Sequence, residues 1–224
     1  MNTAVPSRHR LRIFEIYDSI QGESTLAGMP CTLVRLAGCP LRCSYCDTPQ
    51  AIPTDSGQWI NVEDVVQKVA AFNRPLVLVT GGEPLAQRYT VEVLSALHES
   101  GCIVQLETAG AYSIENIPAC IRRIIDIKTP GSGEVERNCL QNLDLLTEGD
   151  EIKFVLTDRS DYEWARDFIH AHRLGEGEVP VLFSPAWGNM NAADLCAWVL
   201  EDHLPVRVQM QMHKTIWGAE AEGV

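Results

Sequence analysis

A chain of 224 residues that is 46% hydrophobic carries enough apolar material for one sizeable core, so a single domain over residues 1–224 is expected. The formal net charge of −12 argues against a broad basic surface for nucleic acid or for an anionic membrane, because such contacts need clustered Lys and Arg. No stretch reaches the ~20 apolar residues of a membrane-spanning helix. Residues 1–12 carry Arg8, Arg10 and Arg12 but lack the apolar segment of a signal peptide, so a cytoplasmic small-molecule enzyme is the class that fits.

In chain order, residues 11–17 and 32–36 have the apolar content of strands. Between them, Ser19-Ile20-Gln21-Gly22-Glu23-Ser24 forms a polar turn whose Gln and Glu can read the amide-like edge of a heterocycle. Arg35, flanked by Val34 and Leu36 on a strand of buried character, needs an anionic partner if it points inward. That partner is a substrate carboxylate or a structural ion pair. Asn61 is placed to cap a helix with Val62, Val65, Val66, Val69 and Ala70 on one face. A buried-type strand over 76–79, a helix over 90–100 stopped by Gly101, and strands over 102–106 and 121–127 follow. Then come a short helix near 138–146, a strand over 151–156, a helix over 160–172, a strand over 181–183, a helix over 191–203 and a strand over 206–211. There is no solenoid-type repeat and no low-complexity segment. Regular strand–helix alternation implies right-handed parallel crossovers, and about six parallel strands are too few for a closed eight-stranded barrel. The expected fold is an α/β partial, open parallel barrel, with its chemistry at the C-terminal ends of the strands.

Three cysteines, Cys39, Cys43 and Cys46, stand as C-x3-C-x2-C in the loop after the second strand. Three thiolates this close can hold one soft metal centre. A closed zinc site normally takes four protein ligands, whereas an iron–sulfur cubane with three cysteines leaves one iron open to a small molecule. This spacing resembles that of the radical S-adenosylmethionine (SAM) superfamily, with a zinc knuckle or a redox-inert surface loop as the competing readings. The other five cysteines, Cys31, Cys102, Cys120, Cys139 and Cys196, sit mostly in apolar stretches and most of them are expected to be buried and inert, with Cys31 near enough in sequence to compete as a ligand.

Thr80-Gly81-Gly82-Glu83-Pro84 follows a strand directly. Its glycines permit close backbone approach to a ligand, and Glu83 offers a charge suited to an ammonium. Beside the cysteine loop it resembles the GGEP turn that holds the amino end of SAM. Polar groups also close later strands: Glu107-Thr108, Asp126-Ile127-Lys128, and Ser184-Pro185-Ala186-Trp187. Near the C-terminus, alternation along Gln209-Met210-Gln211-Met212-His213-Lys214 would turn Gln209, Gln211 and His213 to one side.

Together the strings Ile20-Gln21-Gly22-Glu23, Arg35-Leu36-Ala37-Gly38-Cys39 and Cys43-Ser44-Tyr45-Cys46-Asp47-Thr48, with Thr80 to Pro84, Glu107-Thr108 and Gln211-Met212-His213-Lys214, resemble the 7-carboxy-7-deazaguanine synthase family. The resemblance implies radical-mediated ring contraction of 6-carboxy-5,6,7,8-tetrahydropterin to 7-carboxy-7-deazaguanine with loss of ammonia, in 7-deazapurine (queuosine) synthesis. It implies a 4Fe-4S cluster on Cys39, Cys43 and Cys46, SAM, and Mg²⁺ on Thr48. It implies SAM contacts from Tyr45, Asp47, Gly82, Glu83, Asp126, Ile127, Lys128, Ser184, Pro185, Ala186 and Trp187. Substrate contacts would come from Ile20, Gln21, Gly22, Glu23, Arg35, Thr80, Glu107 and His213. A flavodoxin- or ferredoxin-like electron donor and a homodimer are implied as well. Two departures stand out: Asp126-Ile127-Lys128 replaces a frequent Ser-Pro-Lys, and the chain continues past Lys214, where some members end with a carboxylate that helps bind substrate. The rival within the superfamily is a glycyl-radical-enzyme activase.

Overall fold

The computed structural model describes residues 9–224. Of the three N-terminal arginines, Arg8 lies outside the described residues.

The chain runs β1 (Arg10–Ile20), β2 (Pro30–Leu36), β3 (Gln58–Asn61), α1 (Val62–Phe72), β4 (Leu76–Gly81), α2 (Thr90–Glu99), β5 (Ile103–Thr108) and β6 (Arg122–Asp126), and continues with β7 (Glu151–Leu156), α3 (Arg159–His172), β8 (Val181–Pro185), α4 (Ala192–Glu201), β9 (Arg207–Val208) and α5 (Met212–Trp217). Nine strands form one sheet in the order β3-β1-β2-β4-β5-β6-β7-β8-β9. From β2 to β9 all neighbours are parallel, seven strands in place of the expected six, although β9 is only two residues long. β1 is antiparallel to both β2 and β3, and β3 and β9 end the sheet. The result is the expected open parallel barrel, extended at one edge by an antiparallel pair.

Strand alternation divides the side chains between two layers. Val34, Leu36, Val77, Val79, Val104, Leu106, Ile125, Ile152, Phe154 and Leu156 face the helices and build the core. Their sequence neighbours Leu33, Arg35, Leu78, Thr80, Glu107, Asp126, Lys153 and Val155 face the other way, onto a cleft. Parallel register sets Arg35 beside Thr80 and Asp126 beside Lys153. On the outer layer α1 buries Val62, Val65 and Val69, while Ala70, expected on the same face, is exposed. Glu63 and Asp64 in its first turn complement the helix dipole. Asn61 stands at the N-cap position, but its amide donates to Asp64 Oδ2 (2.8 Å) and makes no side-chain cap, while Val62 N–H donates to the His9 carbonyl (3.1 Å). Gly101 stops α2 with a φ of 96°, a conformation strained for any residue with a side chain.

Three expectations are corrected. The segment near 138–146 is irregular with a 3-10 turn over Leu140–Leu145, not an α-helix. The last strand shrinks to Arg207–Val208, and the chain then enters α5. Of the five scattered cysteines only Cys31 is buried; Cys102 and Cys139 are half-buried, and Cys120 and Cys196 exposed. Cys31 opens β2, whereas the cysteine loop leaves the other end of that strand, so Cys31 does not compete for the metal.

Candidate active site

A cleft of about 590 Å³ opens at the C-terminal ends of the parallel strands. Cys39, Cys43 and Cys46 all line it, together with Thr80, Glu107, Asp126, Lys128 and His213.

The cysteine loop is fastened at both sides. Gly38 accepts a hydrogen bond from the Glu83 backbone N–H (2.9 Å), and Leu36 accepts one from Gly82 (2.9 Å). Ser44 donates from its backbone N–H to Ser132 (3.0 Å) and from its hydroxyl to Gly131 (2.6 Å). Asp161 of α3 braces that second anchor, accepting from Gly131 N–H (2.8 Å), the Thr129 hydroxyl (2.9 Å) and the Thr157 hydroxyl (2.7 Å). The glycine pair therefore does something the sequence reading did not assign to it. A Cβ on Gly82 would overlap the Gly38 carbonyl, and one on Gly81 would sit 2.5 Å from the Leu36 carbonyl. The glycines let the end of β4 close against the root of the cysteine loop, and the ligand-facing side of the turn is what remains.

Glu83 is a correction. Its carboxylate is fully buried: Oε1 accepts from Leu85 N–H (2.8 Å) and the Thr108 hydroxyl (2.8 Å), and Oε2 from Ala109 N–H (2.7 Å). It braces the ends of β4 and β5 and does not face the cleft. Burial raises its pKa and the three donors act against that rise. Ile127 is likewise a core residue, and Pro185 is buried at the end of β8; neither lines the cleft. Ser184 is buried, with its hydroxyl accepting from Gln209 Nε2 (2.9 Å) and donating to Glu23 Oε1 (3.4 Å), so it sits behind the turn that follows β1. Ala186 and Trp187 do line the cleft, and Trp187 is 45% exposed.

Ile20, Gln21, Gly22 and Glu23 reach the cleft, each under constraint. Gln21 is buried and donates to Gln105 Oε1 (2.6 Å), so its amide is largely committed to the protein. Gly22 leaves room for His213, whose ring a Cβ there would strike, and its carbonyl accepts from Met212 N–H (2.9 Å). His213 is consequently held by α5, not by strand alternation, and Gln209 turns to Ser24 N–H (2.8 Å) and Ser184 instead of the cleft. Burial lowers the His213 pKa, with Asp47 opposing.

Arg35 has both the protein partner and the open face that the sequence left as alternatives. Nε donates to Glu15 Oε1 (2.8 Å), Nη1 to the Thr48 hydroxyl (3.3 Å) and Nη2 to the Tyr17 hydroxyl (3.4 Å). Thr48 in turn donates to Asp47 Oδ1 (3.0 Å). Desolvation works against the Asp47 carboxylate, yet Lys214, Arg35 and Lys153 together hold its pKa at about 2. Lys214 Nζ lies 3.2 Å from Asp47 Oδ2, so α5 is tied to the end of the cysteine loop. Residues 218–224 continue along the rim, where Gln50 Nε2 donates to Glu222 Oε1 (3.5 Å).

The floor is a charge network. Lys128 Nζ donates to Asp126 Oδ2 (2.9 Å) and sits 5.8 Å from the centre of the Tyr45 ring. Burial opposes the Lys128 charge, but Asp126 leads the groups that raise its pKa. Lys153 of β7 contacts Glu107 and lies 3.2 Å from Glu23 Oε2. Lys153, Glu15, Tyr17 and Gln105 were absent from the sequence-based candidates. Lys153 carried a readable signal, a charge in the middle of an apolar strand, the same argument that selected Arg35.

These residues fit a cluster with SAM. Three soft thiols face one cleft, the donor set that an iron–sulfur cluster takes. Among the described residues no group of three His, Cys, Asp or Glu side chains is placed to hold a single metal ion. The Tyr45 hydroxyl and Asp126 Oδ1 are buried without partners, leaving polar capacity beside the thiols.

A profile of the Radical SAM superfamily matches residues 33–127, the span from β2 through β6 that carries the cysteine loop. The 7-carboxy-7-deazaguanine synthase of Chlorobaculum tepidum is 43% identical over 100% of both chains. That of Koribacter versatilis is also 43% identical, over 96% of this chain and 100% of the relative. The crystal structure of QueE from Escherichia coli superposes with a TM-score of 0.73 over 91% of this chain and 95% of that one, at 23% identity, which supports the fold. The chain belongs to the 7-carboxy-7-deazaguanine synthase family, within the radical SAM superfamily.

Proposed function

We propose that the chain performs ring contraction of 6-carboxy-5,6,7,8-tetrahydropterin to 7-carboxy-7-deazaguanine with loss of ammonia, as a radical SAM carbon–nitrogen lyase of 7-deazapurine synthesis. The observation that carries this reading is one cleft joining the three-cysteine loop to a floor of buried opposite charges. The cofactors are a 4Fe-4S cluster and SAM, and Cys39, Cys43 and Cys46 would hold the cluster. When bound, cluster and SAM would supply the radical chemistry that abstracts hydrogen from the pterin.

The protein's own residues bind and orient. Arg35 presents Nη1 and Nη2 toward the cleft and suits the substrate carboxylate. Glu23 and Glu107 keep carboxylate oxygens toward the cleft and suit the N–H edge of the pterin. Thr80 and His213 flank that space, and burial lowers the His213 pKa. Tyr45, Asp47, Gly82, Asp126, Lys128, Ala186 and Trp187 are assigned to the SAM side. Thr48 uses one lone pair for Arg35 and its proton for Asp47, which leaves a second lone pair for Mg²⁺, with substrate carboxylate and water completing the shell. The same reading includes an external flavodoxin- or ferredoxin-like donor, a homodimer, one domain over 1–224 and a cytoplasmic setting without nucleic-acid or membrane contact. No helix of the described residues is long and apolar enough to cross a membrane.

The test is anaerobic reconstitution with iron and sulfide, reduction, and mass spectrometry of the products from SAM, Mg²⁺ and the carboxytetrahydropterin. Formation of 7-carboxy-7-deazaguanine is expected. A SAM-cleaving protein that leaves the pterin untouched would direct attention to the glycyl-radical activase reading, and a colourless zinc protein would end both.

A further inference from the structure

Lys153 lies at the centre of β7, all six of whose residues are buried, and is itself 4% exposed. Its Nζ contacts Glu107 Oε1, lies 3.2 Å from Glu23 Oε2 and 3.7 Å from Asp126 Oδ2. These carboxylates come from three elements: the turn after β1, the end of β5 and the end of β6. Among the described residues no other cation makes an ion pair with Glu23 or Glu107, whereas Asp126 also has Lys128 at 2.9 Å. Burial pushes the Glu23 carboxyl toward its protonated form, and Lys153 is the main group opposing that. Without the ammonium, two half-buried carboxylates would share this part of the cleft with no counter-charge, which disfavours their present placement.

Each carboxylate spends only part of its capacity on Lys153. The second oxygen of Glu23 has just the 3.4 Å bond from Ser184, and Asp126 Oδ1 has no partner at all. Glu23, Glu107 and Asp126 all line the cleft. Resting on the pterin reading above, we infer that Lys153 is a positioning residue for substrate: its ammonium pairs with Glu23 and Glu107 and keeps them turned so that their free oxygens accept the N–H edge of the heterocycle. The ligand class is a planar amidine- or guanidine-edged ring. Asp126 keeps Lys128 when Lys153 is removed, so the SAM side of the cleft is spared.

Equilibrium dialysis of 6-carboxytetrahydropterin against reconstituted, unreduced protein reads this without turnover. Wild type is compared with Lys153→Met, Lys153→Gln and Lys153→Arg, and SAM affinity and Tm are measured in parallel. Removing the charge should weaken pterin binding about ten- to a hundred-fold, the effect of unpairing buried charged acceptors. SAM affinity should stay near that of wild type, and Lys153→Arg should bind substrate clearly tighter than Lys153→Gln. A Lys153→Met protein that binds pterin like wild type overturns the assignment. So does a parallel fall in SAM affinity, Tm and pterin affinity, which would make Lys153 a structural residue only. Should Lys153→Met fail to fold, the Arg–Gln pair decides, and equal pterin affinity in those two overturns it. Wild-type protein that cleaves SAM but binds no pterin overturns the pterin reading and this assignment with it.

Discussion

Replacing Glu83 separates two roles that the sequence alone could not. Read as a motif, Glu83 is a charge offered to the ammonium of SAM; in the structure it is a fully buried acceptor for three donors. Glu83→Ala would strand the N–H groups of Leu85 and Ala109 and the Thr108 hydroxyl in a dry environment. Each bond to an ionised acceptor is worth about 1.5–3 kcal/mol, and the desolvation cost of the carboxylate offsets part of the sum, so a net loss of about 3–5 kcal/mol is expected. For a chain of this size about 2–4 °C accompany each kcal/mol, which predicts a Tm lower by roughly 6–20 °C. Glu83→Gln keeps the shape but can accept on one side only; its amide would meet Ala109 N–H donor to donor, and a smaller fall of about 1–3 kcal/mol is expected. The assay is a thermal melt of the cluster-free protein beside SAM binding to the reconstituted protein. SAM affinity in Glu83→Gln should stay within a few-fold of wild type at a temperature well below its melt. Unchanged Tm with SAM binding abolished would refute the structural reading and restore the carboxylate to the ligand.

Gly82→Ala places a methyl against the Gly38 carbonyl and endangers two backbone bonds of 2.9 Å; iron bound per chain after reconstitution should fall while the melt of the cluster-free protein drops by only about 1–3 kcal/mol equivalent, and full iron loading would contradict the packing argument. Thr48→Ala should weaken the Mg²⁺ response of turnover more than SAM cleavage, and an unaltered Mg²⁺ titration would remove Thr48 from the metal shell. His213 has a folded-state pKa below its ordinary 6.5 because burial disfavours the cation, so the unfolded chain binds the proton first as pH falls. Its contribution to stability is therefore complete above pH 6.5 and lost as pH drops from there through the lower folded pKa. His213→Gln should shrink the Tm difference between pH 7.5 and the acid side of that window, and an equal difference in both proteins would show that other groups carry the acid sensitivity.

Most of the barrel was legible because its parallel strands are short apolar runs bounded by helices, a pattern set by local periodicity. The β1–β2 pairing and the position of β3 were not, since antiparallel pairing at an edge and a four-residue strand leave no periodic trace. Alternation misjudged the C-terminal run because β9 stops at Val208 and α5 takes over, so His213 reaches the cleft from a helix.

By itself the sequence determined the kind of chemistry. Three cysteines at fixed short spacing constrain a metal centre locally, and the polar turns after apolar strands must gather at one end of a parallel sheet. Only the tertiary structure decided which polar groups are free to act. Glu83 and Ser184 are spent on bracing and Gln21 on a buried amide partner, while the glycine pair closes β4 against the cysteine loop and keeps one side of its turn on the cleft. Lys153 acquires its meaning from Glu23 and Glu107, which lie 130 and 46 residues away along the chain. Whether a charge is available to a ligand or already paired depends on neighbours brought together from distant strands, and no local pattern encodes that.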